Sequence, residues 1–316
     1  MRVPAGLALV LLLGSVALAG CGGPLLPKCA SDAGLPAFGP GDHDLTLCIA
    51  GQRREAVAYV PDGLTTPAPL LLMLHGGAGN AAQMRSADGM DAVAADLGFI
   101  VVYADGTPAR KGSNLRTWDA IHCCGEAFAE KTPDVQFLGM LLDGLVAAWP
   151  IDAARVGVAG HSNGAMMAYR VAAERSDIVT TVIAVAGAVG GEPDPGDPVL
   201  RLSPPATPVS ALILHARDDP RVPYDGGQGK NLDGPRVDLP VADAIALWKP
   251  ADAVPVDEVH DGVQVERWSG AATELVVMTT TGGHGWPGAA HPRIPGPTQP
   301  DASQEIGEFL LAHPRR

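Results

Sequence analysis

The stretch VGVAGHSNG, residues 156–164, decides how the rest of the chain is read. Residues 156–159 are short, apolar and β-prone, the mark of a strand buried on both faces. Gly160-His161-Ser162-Asn163-Gly164 follows as G-x-S-x-G, and residues 163–174 have the pattern of a helix. Strand, sharp turn and helix in succession form the setting that projects a serine hydroxyl from the top of a sheet. Glycine is common here, at 39 of 316 residues, so the motif by itself carries little weight. Its place between a buried strand and a helix carries the argument. The helix behind Ser162 offers backbone N–H groups and a positive dipole end to a developing anion.

Working outward, buried runs and helical stretches alternate. Residues 45–49 and 53–60 predict a hairpin about Gly51-Gln52. Residues 69–74 and 99–103 predict buried strands, with a helix over 80–97 between them. Further strands are predicted at 179–185, 211–214 and 274–278, and helices at 134–149, 241–248 and 303–312. Residues 105–133 have no periodicity and predict a long loop, a kind of segment that is often functional. The alternation predicts one α/β domain over 43–316, with a mostly parallel central sheet, helices on both faces and an antiparallel N-terminal edge. The composition, 47% hydrophobic and 18% charged, suits a globular domain with a sizeable core. A net charge of −13 argues against nucleic acid as a partner.

A serine hydroxyl needs a base within hydrogen-bond reach, and α/β sheets place such groups on loops at the carboxyl ends of strands. The 211–214 strand runs into His215, Asp218 and Asp219, and the 274–278 strand runs into Gly282-Gly283-His284-Gly285-Trp286. The order Ser…Asp…His is that of the α/β-hydrolases. His284 is the favoured base, being flanked by glycines, with His215 and His291 as alternatives; either Asp218 or Asp219 could orient it. Oxyanion donors are expected from the Asn163 N–H and from the turn His75-Gly76-Gly77-Ala78-Gly79, with Gly77 favoured. No Lys-Ser/Thr follows that turn, so a phosphate loop is excluded.

These pieces together resemble the polyhydroxybutyrate depolymerase and feruloyl esterase family of secreted α/β-hydrolases. The matching blocks are LHGGAGNAAQM (74–84), ADLGFIVVYADGT (95–107), WDAIHCCGEA (118–127), IDAARVGVAGHSNGAMMAY (151–169), LHARDDPRVPY (214–224) and GGHGWPG (282–288). The resemblance implies an esterase without a cofactor, with Ser162 as nucleophile, His284 as base and Asp219 as the acid. Trp118 and Trp286 are expected near the cleft, as substrate contacts or as packing. Residues 225–240 are rich in Gly and Pro, so the substrate rim can differ from the family's.

The N-terminus reads separately. Arg2 precedes an apolar run over residues 5–19, about 15 residues and short of the ~20 that span a bilayer. It fits a signal peptide over 1–20. Leu18-Ala19-Gly20-Cys21 resembles a bacterial lipobox, with Cys21 as the site of lipidation and residues 21–42 as a Pro/Gly-rich tether. A membrane would then be a partner through the anchor, with the domain exported to the cell envelope or secreted. Of the five cysteines, Cys29, Cys48, Cys123 and Cys124 remain, and three pairings are open. Cys29–Cys48 is favoured, as it ties the tether to the domain. A Cys123–Cys124 bridge is expected to be strained, because neighbouring Cα atoms lie ~3.8 Å apart across a trans peptide, below the usual disulfide range. No metal is expected, since neither C-x-x-C nor a spaced His/Cys quartet is present. The function expected is a serine carboxylic-ester hydrolase acting on a small ester or a polymer end. A binding lipoprotein that keeps the fold, or a peptidase or acyltransferase using the same three residues, are the alternatives.

Overall fold

A computed structural model of the chain describes residues 26–30, 34–230, 234–251, 253–260, 263–289, 296 and 300–315. The expected signal peptide and Cys21, and the alternative base His291, lie outside these residues. In chain order, β1 (Gly41–Ile49) and β2 (Gln52–Val60) form the hairpin, and β3 (Ala68–Leu74) follows. The helical stretch after β3 is two helices, α1 (Ala81–Asp88) and α2 (Met90–Leu97), because Gly89 at φ 71° breaks it. After β4 (Ile100–Ala104) the expected long loop holds β5 (Thr107–Pro108), β6 (Arg116–Thr117) and the short α3 (Gly125–Ala129). Then come α4 (Asp134–Ala148), β7 (Ile151–His161), α5 (Asn163–Glu174), β8 (Thr181–Val185), β9 (Gly190–Glu192), β10 (Leu200–Arg201) and β11 (Ser210–Ala216). The chain ends in β12 (Gly227–Gln228), β13 (Val237–Asp238), α6 (Val241–Trp248), β14 (Val256–His260), β15 (Val263–Ser269), β16 (Glu274–Thr280) and α7 (Ala302–Ala312).

Ten strands form one sheet in the order β1-β2-β4-β3-β7-β8-β11-β16-β15-β14. The six strands from β4 to β16 run parallel, and antiparallel pairs close both edges. This is the α/β-hydrolase architecture. Strand β3 shows why the apolar runs are continuous. Successive side chains point to opposite faces, so Leu70, Leu72 and Leu74 join the core that includes Phe137 of α4 and Met166 of α5. Leu71 and Met73 join the opposite core with Met84, Ala94 and Leu310 of α1, α2 and α7. All five are buried, and each is worth about 1.5–3 kcal/mol relative to exposure.

Cys29–Cys48 is a disulfide with Cα atoms 5.8 Å apart, fastening the segment before the domain to β1. Closing that loop is worth about 3 kcal/mol in the chain-entropy model. The second pair departs from expectation. Cys123 and Cys124 are bridged to each other, with Cα atoms 3.1 Å apart across a cis peptide, so the premise of a trans bond does not hold there. The pair lies beside α5, with Cys123 Sγ 3.5 Å from Met166 Sδ.

Candidate active site

The turn at Ser162 is built by close backbone approach. A Cβ on Gly160 would overlap the Gly164 backbone, and one on Gly164 would overlap the Leu74 carbonyl, so neither position accepts a side chain. Between them Ser162 has φ 55° and ψ −120°, a conformation that costs a non-glycine residue about 1–3 kcal/mol. Its N–H donates to Val185 O at 2.9 Å, tying the turn to β8. Ser162 stands at the N-cap of α5, yet its hydroxyl makes no capping bond. The hydroxyl instead meets His284 Nε2 at 2.8 Å.

Behind it, His284 Nδ1 donates to Asp219 Oδ2 at 2.7 Å. The Asp219 Oδ1 atom accepts from the N–H groups of Arg221 and Val222 at 2.8 and 3.0 Å. Burial pushes the Asp219 carboxyl up, but the hydrogen bond and charge of His284, with those two N–H groups, outweigh it and hold the group below its ordinary value. The alternatives sort by position. His215 is buried behind this row, donating Nε2–H to Val222 O at 2.8 Å. Asp218 accepts from the N–H groups of Gly282 and Gly283 at 2.9 and 3.1 Å, and so braces the loop that carries His284.

Two further histidines flank the serine without having been singled out for a role there. His75 is buried, donates Nδ1–H to Gly76 O and accepts the Gly106 N–H at Nε2. Both nitrogens are thereby committed to one neutral tautomer, and burial lowers its pKa to about 4. His161 packs 5.0 Å from the His284 ring, and burial lowers its pKa to about 3, helped by the His284 charge. Sequence spacing marks both residues as adjacent to the motifs but gives no sign of their burial.

The residues expected as oxyanion donors face each other. A Cβ on Gly77 would lie 3.7 Å from the Asn163 Cβ. Among the described residues, neither the Gly77 nor the Asn163 N–H donates to a backbone carbonyl. The Asn163 side chain has a different task, accepting from Trp118 N–H at 2.8 Å and donating to Trp118 O at 3.2 Å.

Trp118 and Trp286 do not serve as substrate contacts, because both rings are fully buried. Trp118 Nε1–H donates to His75 O at 3.0 Å, joining the long loop to the Gly-rich turn. Trp286 Nε1–H donates to Ser303 Oγ at 3.0 Å, and Ser303 donates in turn to Asp88 O, fixing the His284 loop onto α7 and α1. The surface offered to a ligand is a cleft of about 590 Å³ whose lining includes Gly77, Gln83, Met84, Ala87, Ser162 and His284. Among the described residues no group of three His, Cys, Asp or Glu side chains is placed to hold a metal ion.

A family model described as Esterase PHB depolymerase matches residues 55–219, just over half of the chain. NocK of Nocardia uniformis subsp. tsuyamanensis, an esterase by name, is 27% identical over 328 residues, covering 92% of this chain and 91% of its own. The bifunctional acetylxylan esterase/xylanase XynS20E of Neocallimastix patriciarum is 28% identical over 57% of this chain, which spans 23% of that longer protein. Among solved structures, native pOPH aligns with a TM-score of 0.61 at 17% identity, over 90% of each chain. The acetyl xylan esterase from Aspergillus awamori aligns at 0.52 and 14% identity, over 81% of this chain and 94% of its own. Both structural likenesses speak to the fold alone. The family match and the esterase relatives together place the chain in the Esterase PHB depolymerase family, as a carboxylic ester hydrolase.

Proposed function

We propose that Ser162, His284 and Asp219 form a catalytic triad that cleaves esters through a covalent acyl-enzyme. The observation that carries this reading is the unbroken row of hydrogen bonds, 2.8 Å from Ser162 to His284 and 2.7 Å from His284 to Asp219. In the first half-reaction the Ser162 oxygen bonds to the ester carbonyl carbon while His284 Nε2 takes the hydroxyl proton. The tetrahedral oxyanion is received by the Gly77 and Asn163 N–H groups. Its collapse breaks the bond to the alcohol, which leaves with the proton from His284. Water then repeats the sequence on the acyl-enzyme, releasing the acid and restoring Ser162. Asp219, ionised and buried, holds the His284 tautomer and stabilises the imidazolium formed in each half. No cofactor enters these steps. Ser162→Ala should lower kcat on p-nitrophenyl butyrate by at least about 10³-fold with the fold intact by circular dichroism; undiminished turnover would sink the assignment.

Polyesters of hydroxy acids, feruloyl esters and acetylated xylan are the substrate classes that the family resemblance and the names of the relatives support. Export is supported by the Cys29–Cys48 disulfide, which suits an oxidising compartment. Lipidation at Cys21 rests on the lipobox-like sequence. Loss of detergent-phase partitioning in Cys21→Ser tests it, and unchanged partitioning would refute it.

A further inference from the structure

The cleft over Ser162 has a charge pattern opposite to that of the whole chain. The protein carries a net charge of −13, yet among the described residues that line the cleft there is no Asp or Glu, and Arg221 is the one side chain with a permanent charge. The arginines on either side of it in sequence are ion-paired, Arg217 with Asp225 and Arg236 with Asp238. Among the described residues Arg221 has no such carboxylate, and it is exposed.

Its backbone is firmly placed. Arg221 lies in the run Asp219-Pro220-Arg221-Val222-Pro223, where two prolines restrict the chain. Its N–H donates at 2.8 Å to Asp219, the carboxylate that orients His284. The point at which the Arg221 side chain leaves the backbone is therefore held by the same group that orients His284, while the exposed guanidinium is left free to meet a ligand. The same cleft lining supplies Ala78, Met84 and Ala87, an apolar surface suited to a carbon chain.

We infer that Arg221 is a specificity determinant that selects esters bearing a free carboxylate, a reading that rests on the proposed triad. A guanidinium presents paired N–H donors that match a carboxylate in two parallel hydrogen bonds. With the scissile carbonyl at Ser162, a carboxylate elsewhere in the molecule reaches Arg221, and the carbon chain between them lies against the apolar lining. Monoesters of dicarboxylic acids and short hydroxy-acid oligomers with a free acid end have this chemistry.

The test compares mono-p-nitrophenyl adipate, with the acid on the acyl side, and 4-(hexanoyloxy)benzoate, with the acid on the leaving group, against neutral p-nitrophenyl hexanoate. For at least one acid, Arg221→Gln should lower the ratio of kcat/KM to that for the neutral ester by about tenfold, the size of one charge-assisted hydrogen bond. The loss should appear in KM, and Arg221→Lys should retain part of the preference. In the wild-type chain the same ratio should fall as NaCl is raised. Ratios that are unchanged in Arg221→Gln and Arg221→Lys, or insensitive to salt in the wild type, overturn the inference while hydrolysis of the neutral ester leaves the triad standing. No turnover of any of the three esters by the wild type would overturn the triad reading, and this inference with it.

Discussion

His161 offers a test of the site's electrostatics that does not depend on knowing the substrate. It is buried beside His284, and burial lowers its pKa from 6.5 to about 3. Between those two values the unfolded chain binds a proton that the folded chain refuses, so acidification favours unfolding. For one such group the penalty between pH 7 and pH 5 is about 2 kcal/mol. His75 and His215, also lowered by burial, act in the same direction. Asp88 and Asp119, raised by burial, act in the opposite one, because the folded state holds their protons more tightly. The wild-type pH slope therefore mixes several groups, and a comparison isolates one of them. His161→Asn removes the titrating ring and will lose some packing stability at every pH. That loss cancels when the difference from wild type is followed by urea denaturation at pH 7 and pH 5. The variant should gain about 2 kcal/mol relative to wild type over that interval. A difference constant within about 0.5 kcal/mol would mean that His161 titrates alike in both states, and the reasoning from burial would fail.

Three further outcomes follow from named contacts. Asn163→Ala keeps the backbone N–H proposed as an oxyanion donor but strands the buried Trp118 N–H and C=O, so urea denaturation should show a loss of about 2–4 kcal/mol. Trp286→Phe removes the donor to Ser303 beneath the His284 loop, and should cost about 1–3 kcal/mol while leaving hydrolysis of p-nitrophenyl butyrate measurable. Asp218→Ala frees the N–H groups of Gly282 and Gly283 to solvent. It should change stability by no more than about 1 kcal/mol while lowering kcat through a looser His284 loop.

The parts of the fold legible in the sequence are those where local pattern and global burial agree. Strand β7, the turn at Ser162 and helix α5 were readable because apolar β-prone residues, paired glycines and helix formers adjoin without interruption. The hairpin of β14 and β15 was not readable. Every residue of the edge strand Val256–His260 is exposed, and its neighbour Val263–Ser269 mixes Glu, Arg and Gln with its apolar positions. The break at Gly89 was hidden because the apolar pattern continues across it, although glycine there adopts a left-handed backbone. Within the site, spacing located the serine, the histidine and the acid-bearing turn. Spacing could not tell which way an aromatic ring faces in a long loop, and Trp118 and Trp286 turned inward to satisfy their N–H groups. Arg221 escaped notice because an exposed arginine acquires meaning only from the acid-free cleft around it.

The covalent step at Ser162 is the central claim, and labelling tests it most directly. The folded chain would be treated with a fluorophosphonate, digested and mapped by mass spectrometry while hydrolysis of p-nitrophenyl butyrate is followed. One adduct is expected, on the peptide containing Ser162, formed in step with loss of activity and absent in Ser162→Ala. Inactivation with Ser162 unmodified, or full activity with Ser162 fully labelled, would contradict it.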